Sequence, residues 1–295
     1  MFEFIQYTLN GITMGIIYAL IAVGFVLIYK SSKILNFAVG EFVAIGSLIL
    51  WTLKVNLGMP FWGALLLGIV LMALIGVLIE RVLLRPLIGQ PILSAIVMTI
   101  GLAYVLRGIA LAVWGGAPKN FGDVFPGQSI EIITDLTVSQ TQLWSFGICL
   151  AIFVIMHYFF KKTTTGLNLR ATAEGHEVAQ SIGVKVNNAF IISWVGAGVL
   201  SLMAGLFLAT MSSASTGLAD LGLKVLPVVL LGGLESFIGA IAAALIIGVC
   251  ESLVAGYIDA LVGGGTSEIF AFAVMIIILM VRPYGLFGLK KIERI

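Results

Sequence analysis

Apolar and polar positions along this chain change over on the scale of whole helices rather than of helix faces. Charge-free runs occupy residues 4–29, 55–79, 136–160 and 186–219, each longer than the ~20 residues that carry an α-helix across a bilayer. The pattern predicts membrane elements at about 4–29, 35–53, 60–83, 91–113, 140–160, 188–212, 223–234, 236–257 and 267–282. The seventh is too short to span. Leu231-Gly232-Gly233 joins it almost at once to the eighth, so the pair reads as a hairpin or a broken helix. The fold class is therefore all-α and polytopic, about eight transmembrane helices plus one short broken or re-entrant segment. A transmembrane β-barrel shows ~10-residue alternating segments instead.

Composition agrees with the pattern. Hydrophobic residues make up 60% of the 295 positions and charged residues 10%, with a mean hydropathy of +1.16. A soluble domain carries about 25% charge, so this chain lacks the polar groups to cover itself in water. The net charge of +2 gives no reason to expect a nucleic-acid partner. Glu3 in place of a basic leader, and an apolar run far beyond 7–15 residues, argue against a cleaved signal. Cys149 and Cys250 lie inside apolar runs and read as small buried hydrophobes.

Basic residues set the expected orientation. With the N-terminus outside, Lys30, Lys33, Arg81, Arg85, Lys161, Lys162, Arg170, Lys185, Arg282, Lys290, Lys291 and Arg294 fall on the cytoplasmic side. Lys54, Arg107, Lys119 and Lys224 fall outside or near it. That bias predicts N-out and C-in, with the short seventh element counted as a crossing. The chain then divides into a first half at about 1–113, a periplasmic loop 114–139 and a linking helix 140–160. A cytoplasmic loop 161–187 and a second half 188–295 follow. The halves start on opposite sides, and each runs from a long apolar helix to a polar break, "SSKILNFAVGE" in one and "STGLADLGLK" in the other. Two such halves are the expected trace of an inverted repeat, with a path at the repeat interface.

Polar residues inside this frame are the candidates for that path: Asn10, Tyr18, Asn36, Glu41, Arg107, Ser212, Ser213 and Glu235. A break such as Asn36 to Glu41 exposes backbone groups that lipid cannot satisfy. Glu41 is either a functional carboxylate or a charge placed at a helix N-terminus that Asn36 caps. Arg107 either snorkels to the headgroups, attracts a solute carboxylate, or pairs with Glu41 or Glu235. Gly11 with Gly15, and Ser201 with Gly205, are small-xxx-small steps for close helix packing. His157 and His176 lack metal-ligand spacing, and no metal site is expected. The loop with Pro118 and Pro126 is either a contact for a soluble partner or a plain connection.

The cytoplasmic loop has the most mixed chemistry. Ala171, Val178, Ala179 and Ile182 recur at helical spacing, so a helix interrupted at Gly175 is expected across Arg170 to Ile182. Arg170, Glu174 and Glu177 supply charges on it, and Gly183 stands where a helix C-cap belongs. Two glutamates against one arginine suit docking on a soluble partner better than lying on a membrane surface.

"TGLNLRATAEGHEVAQSIGV" resembles the coupling loop of branched-chain amino acid-type ABC-importer permeases, through Gly166, Arg170-Ala171, Ala179 and Gly183-Val184. "GITMGIIYALIAVGFVLIY" and "LNFAVGEF" resemble that family's opening helix and its Asn-Phe-Ala-x-Gly-Glu signature, and "VVLLGGLESFIGAIAAALIIG" and "RPYGLFG" its closing segments. Val39, where family members often carry His or Gln, and Glu235, in a stretch often uncharged, depart from it. The resemblance implies a transmembrane permease in the bacterial inner membrane that is not itself an enzyme. Its implied partners are a second homologous permease chain, two cytoplasmic ABC ATPases and a periplasmic solute-binding protein. ATP and Mg would be bound by the ATPases, which agrees with the missing G-x-x-x-x-G-K-[ST] loop. Gly166, Arg170, Ala171, Glu174, Glu177, Ala179 and Gly183 would form the coupling surface. Branched-chain or other hydrophobic amino acids are the implied solutes, with urea or short amides, and aromatic or aliphatic carboxylates, as alternatives. The rival class is an ion-coupled secondary transporter using Glu41, Glu235 and Glu251. An intramembrane enzyme is not expected, because no catalytic cluster falls within the spans.

Overall fold

The computed structural model describes residues 2–87, 90–122, 124, 129–133, 136–282 and 285–288. Lys290, Lys291 and Arg294, counted above for orientation, lie outside the described residues, as does Pro126. Helices α1 (Phe2–Ser32), α2 (Val39–Trp51), α3 (Phe61–Ile79) and α4 (Ile92–Trp114) form the first half. A hairpin of β1 (Ser129–Ile133) and β2 (Leu136–Ser139) leads into α5 (Gln140–Lys162). Two short helices follow, α6 (Thr164–Glu174) and α7 (His176–Ser181). The second half holds α8 (Val186–Met211), α9 (Leu221–Gly232), α10 (Phe237–Tyr257), α11 (Asp259–Val262) and α12 (Thr266–Val281).

Seven helices among the described residues are long and apolar enough to cross a membrane, and α12, at 16 residues, is a shorter apolar one. Helix α9 spans 12 residues and contains Pro227, as befits the short broken element. Helices α2 and α3 each end in a wider, five-residue π turn, at Thr52–Asn56 and Glu80–Leu84. Ser139 and Gln142 form a capping box that starts α5. Asp259 accepts from the Thr266 and Ser267 N–H groups at 2.7 and 3.2 Å, starting α12, and these bonds with the Ser267 hydroxyl hold its carboxyl below the usual range.

Lipid gives apolar helices no hydrophobic reason to associate, so close packing must hold the bundle together. Glycine marks each main crossing. A Cβ on Gly15 would stand 2.8 Å from the Ala244 carbonyl oxygen, and one on Gly248 would stand 2.5 Å from Gly15 Cα. These residues set the α1–α10 crossing. Gly76 meets the Trp194 carbonyl in the same way at 2.8 Å for α3 against α8, and Gly205 meets Val43 at 2.4 Å for α8 against α2. The small-residue steps at Gly11, Gly15 and Gly205 thus act as helix crossings.

The consequence for architecture is an exchange of partners. The leading helix of the first half packs on α10 of the second, and the leading helix of the second packs on α3 of the first. Helices α1 and α8 also pack on each other, and both are buried along most of their length. The halves therefore interlock rather than lie side by side.

The tightest crossing joins the two helix breaks. A Cβ on Gly40 would fall 2.0 Å from the Ala219 carbonyl oxygen, and one on Gly222 would fall 2.4 Å from Gly40 Cα. Backbone cannot yield as a flexible side chain can, so Gly40→Ala is expected to cost at least ~1–3 kcal/mol by overpacking. Gly108 has open space around its missing Cβ, so Gly108→Ala should be neutral or gain up to ~1 kcal/mol in its helix. Thermal unfolding of the two variants in detergent tests this, and equal midpoints would show that the Gly40–Gly222 approach is not required.

Candidate functional site

Hydrogen bonds fix the backbone of both breaks. After α1, Lys33 adopts a left-handed backbone at φ 57° and donates its N–H to the Tyr29 carbonyl. Asn36 Oδ1 accepts from the Ala38 N–H at 3.0 Å, and Thr99 of α4 donates its hydroxyl to the Leu35 carbonyl at 3.1 Å. Asn36 therefore closes the turn before α2 rather than capping the helix, which starts at Val39 with no side-chain cap. The other break runs from Ser212 to Asp220. Ala214 pairs there with Lys119 through two backbone hydrogen bonds of 2.8 and 2.9 Å, and Thr216–Asp220 forms a 3-10 turn into α9.

Because Gly40 and Gly222 abut, the residues beside them are brought together. Glu41 follows Gly40, and Asp220 precedes Leu221 at the start of α9. Arg107 reaches both: its Nε donates to Glu41 Oε1 at 2.8 Å and its Nη2 to Asp220 Oδ1 at 2.8 Å. Glu41 is buried at 4% exposure, and its Oε2, like Asn36 Nδ2, has no hydrogen-bond partner. Phe37, Ile100, Tyr104 and Leu223 are among the other residues that line a cavity of about 290 Å³ around these charges. Tyr104 and Leu223 are exposed, so the cavity opens at the side of the bundle along α4 and α9. The arrangement holds one guanidinium between two carboxylates, with a spare buried oxygen and an apolar rim. Of the expected roles of Arg107, the pairing with Glu41 is formed, and Asp220 joins it.

The other candidates lie elsewhere. Glu235 pairs with Lys33 at the opposite ends of α1 and α10 from Asn10 and Tyr257. Asn10 accepts from Gln6 at 3.3 Å and Gln142 at 2.8 Å, tying α1 to α5. Tyr18 is buried; Glu251 of α10 lies 3.7 Å from Lys224, itself 3.5 Å from Glu268. Ser212 donates to the Leu208 carbonyl at 2.8 Å, and Ser213 is half-buried without lining the cavity. Asp220 and Lys224 were not singled out from sequence as path residues. The available signal for Asp220 was its place as the first charge after the run 186–219.

The helix expected in the 161–187 loop divides in two. Helix α6 starts earlier than expected, where the Thr163 hydroxyl accepts the Gly166 N–H at 2.9 Å, and extended backbone at Gly175 separates it from α7. Gly166 sits inside α6 and serves close packing: a Cβ there would stand 2.3 Å from the Phe159 carbonyl oxygen. Gly183 does turn the chain, at φ 87°, while the Val184 N–H bonds the Ala179 carbonyl in a Schellman closure. The expected apolar stripe splits. Ala179 is buried against Val186 and Phe190, with Ala171 packed beside them, whereas Val178 and Ile182 are exposed. Arg170 and Glu174 are exposed, and the side chain of Glu177 lies outside the described residues. His176 Nε2 lies 2.8 Å from the Ser31 carbonyl oxygen, joining α7 to the end of α1.

The model of the family described as "Branched-chain amino acid transport system / permease component" matches residues 7–279. The high-affinity branched-chain amino acid transport system permease protein BraD of Pseudomonas aeruginosa is 27% identical, over 100% of this chain and 99% of its own. LivH of Escherichia coli, of the same description, is 28% identical over 99% and 98%. A probable branched-chain amino acid transport permease protein LivH of Methanocaldococcus jannaschii is 29% identical over 94% and 90%. Among solved structures, a chain of "PsaBC from Streptococcus pneumoniae in complex with Fab" superposes with a TM-score of 0.51 at 17% identity, covering 97% of each chain, a likeness of fold. With seven apolar helices of spanning length, an unbroken family match and relatives aligned nearly end to end, this multi-pass inner-membrane chain belongs to the permease components of branched-chain amino acid transport systems.

Proposed function

We propose that the chain is the permease of an ATP-driven importer of branched-chain or related hydrophobic amino acids, with its N-terminus outside and its C-terminus in the cytoplasm. The family match over residues 7–279 carries this reading. A second, homologous permease pairs with it. Two cytoplasmic ATPases bind the ATP and Mg, and a periplasmic binding protein delivers solute.

The solute path runs past the cavity of Glu41, Arg107 and Asp220. Three features support this placement: the meeting of two helix breaks, the spare oxygen of Glu41 and the lateral opening beside Tyr104 and Leu223. Discontinuous helices serve such sites because irregular backbone is tolerated only against protein or a wet cavity. The interlocked halves of one chain resist separating, so the path is placed between this chain and the second permease. At the cytoplasmic end, the exposed Arg170 and Glu174 with the apolar Val178 and Ile182 form a docking face for an ATPase groove. Helices α6 and α7 carry its motion to the bundle through His176 and the end of α1.

Reconstituting the purified importer in liposomes, with its ATPases and binding protein, should give leucine uptake that depends on ATP. Uptake by this chain alone without ATP would overturn the importer reading, and uptake of urea in place of leucine would replace the solute. Arg107→Gln leaves Glu41 buried without its cation and should lower uptake at least ~10-fold, the scale of one to two kcal/mol or more for such a loss. Arg107→Lys should keep most of it, and equal activity in both variants removes the charge role. Arg170→Glu should insert normally yet uncouple solute uptake from ATP hydrolysis, and wild-type uptake in that variant rules out the docking face.

A further inference from the structure

At the end of the bundle that carries the Lys33–Glu235 pair, α5 stands away from α1 and α10 and leaves a cleft. Its first hollow, about 360 Å³, is lined by Val23, Phe153, Met156 and Ile241 in its apolar part, with Lys30 and His157 among its polar lining. A second hollow of about 490 Å³ shares Phe153 and His157 and adds Tyr158, Lys161 and Lys162. Charge on this rim is one-sided. Glu235 is the carboxylate among the described lining residues, and Lys33 already holds it. Lys30 lies 5.3 Å from the centre of the Phe237 ring, and none of Lys30, Lys161 and Lys162 forms an ion pair within 4.0 Å among the described residues. The N-terminus of the 21-residue α10 also opens here, capped by Ser236, and adds partial positive charge.

We infer that this cleft is a binding site for an anionic phospholipid, with its phosphate at Lys30, His157, Lys161 and Lys162 and an acyl chain between Phe153, Met156 and Ile241. Cations above a hydrocarbon-lined slot complement an amphiphile whose negative charge sits at one end. Basic pockets between transmembrane helices at the cytoplasmic surface recognise lipid headgroups in this way. A free phosphate uses the rim but gains nothing from the slot. The exposed apolar face of α5 at Leu150, Val154 and Ile155 continues the slot into the hydrocarbon layer. The assignment rests on the proposed orientation, which puts this end in the cytoplasmic leaflet. Lipid retention is read without transport, so a failed import assay leaves the result independent.

The test is native mass spectrometry of the assembled importer, purified from nanodiscs of phosphatidylcholine with a minor fraction of phosphatidylglycerol. Phosphatidylglycerol should be retained over phosphatidylcholine, and excess inorganic phosphate should not displace it. Lys161→Gln with Lys162→Gln should lower that preference about five-fold per lysine removed. Met156→Trp fills the slot with the charges intact and should lower retention as well, whereas Lys119→Gln, at the other end of the bundle, should not. Equal retention of both lipids by the wild type overturns the site. So does unchanged retention in both cleft variants, displacement by phosphate, or a cleft that holds a protein chain and no lipid in the assembled importer.

Discussion

The contact on which the rest of this structure depends is the approach of Gly40 to Gly222, backbone against backbone, with no Cβ on either side. It lets two helix starts cross at the point where each chain segment has just left a long helix. Any side chain there would push the segments apart by the width of a methyl group or more. The neighbours Glu41 and Asp220 would then no longer share one guanidinium. Glycine in this place does nothing chemical itself; it determines which charges meet.

The cluster that results is electrostatically unbalanced. Two carboxylates face one arginine, and Glu41 is buried while Arg107 keeps 39% of its side chain exposed. Removing one partner from a buried pair costs ~3–5 kcal/mol, because the other charge is stranded. Solvent reaching Arg107 reduces that figure, and the exposed Asp220 contributes less than Glu41. Stability alone gives little reason to keep such a group inside an apolar bundle, since well-packed hydrophobes do as well or better. A spare carboxylate oxygen, an arginine open on one side and a cavity beside them are what marks an ionisable cluster inside a membrane as a functional candidate.

Much of the architecture was legible because membrane helices announce themselves by length and hydropathy, and the described helix bounds follow the apolar runs closely. The break near Asn36 was legible too, as polar residues where lipid tolerates none. The pairing of Arg107 with Asp220 was not, since 113 positions separate them and only the exchange of helices between halves brings them together. That exchange leaves no periodic trace in sequence. The packing role of Gly166 was hidden for the same reason: a glycine that turns the chain and a glycine that admits a neighbouring backbone look alike until the neighbour is known. Gly183, by contrast, was readable from its place after an amphipathic run, where local rules suffice.

The interlock also constrains how force can travel. Each leading helix is clasped by the opposite half through glycine crossings, and packed backbone transmits displacement instead of absorbing it. What can give lies at the breaks, where irregular backbone replaces the helical ladder. Helix α7 reaches one of them directly: His176 is bonded to the carbonyl of Ser31, two residues before the left-handed Lys33. Lys33 in turn holds Glu235 just ahead of α10, and the same break ends at Gly40 and Glu41. One continuous turn of chain thus runs from the contact with α7 to the Arg107 cluster. The loop of α6 and α7 and the cluster of Glu41, Arg107 and Asp220 are joined by the single segment that links α1 to α2.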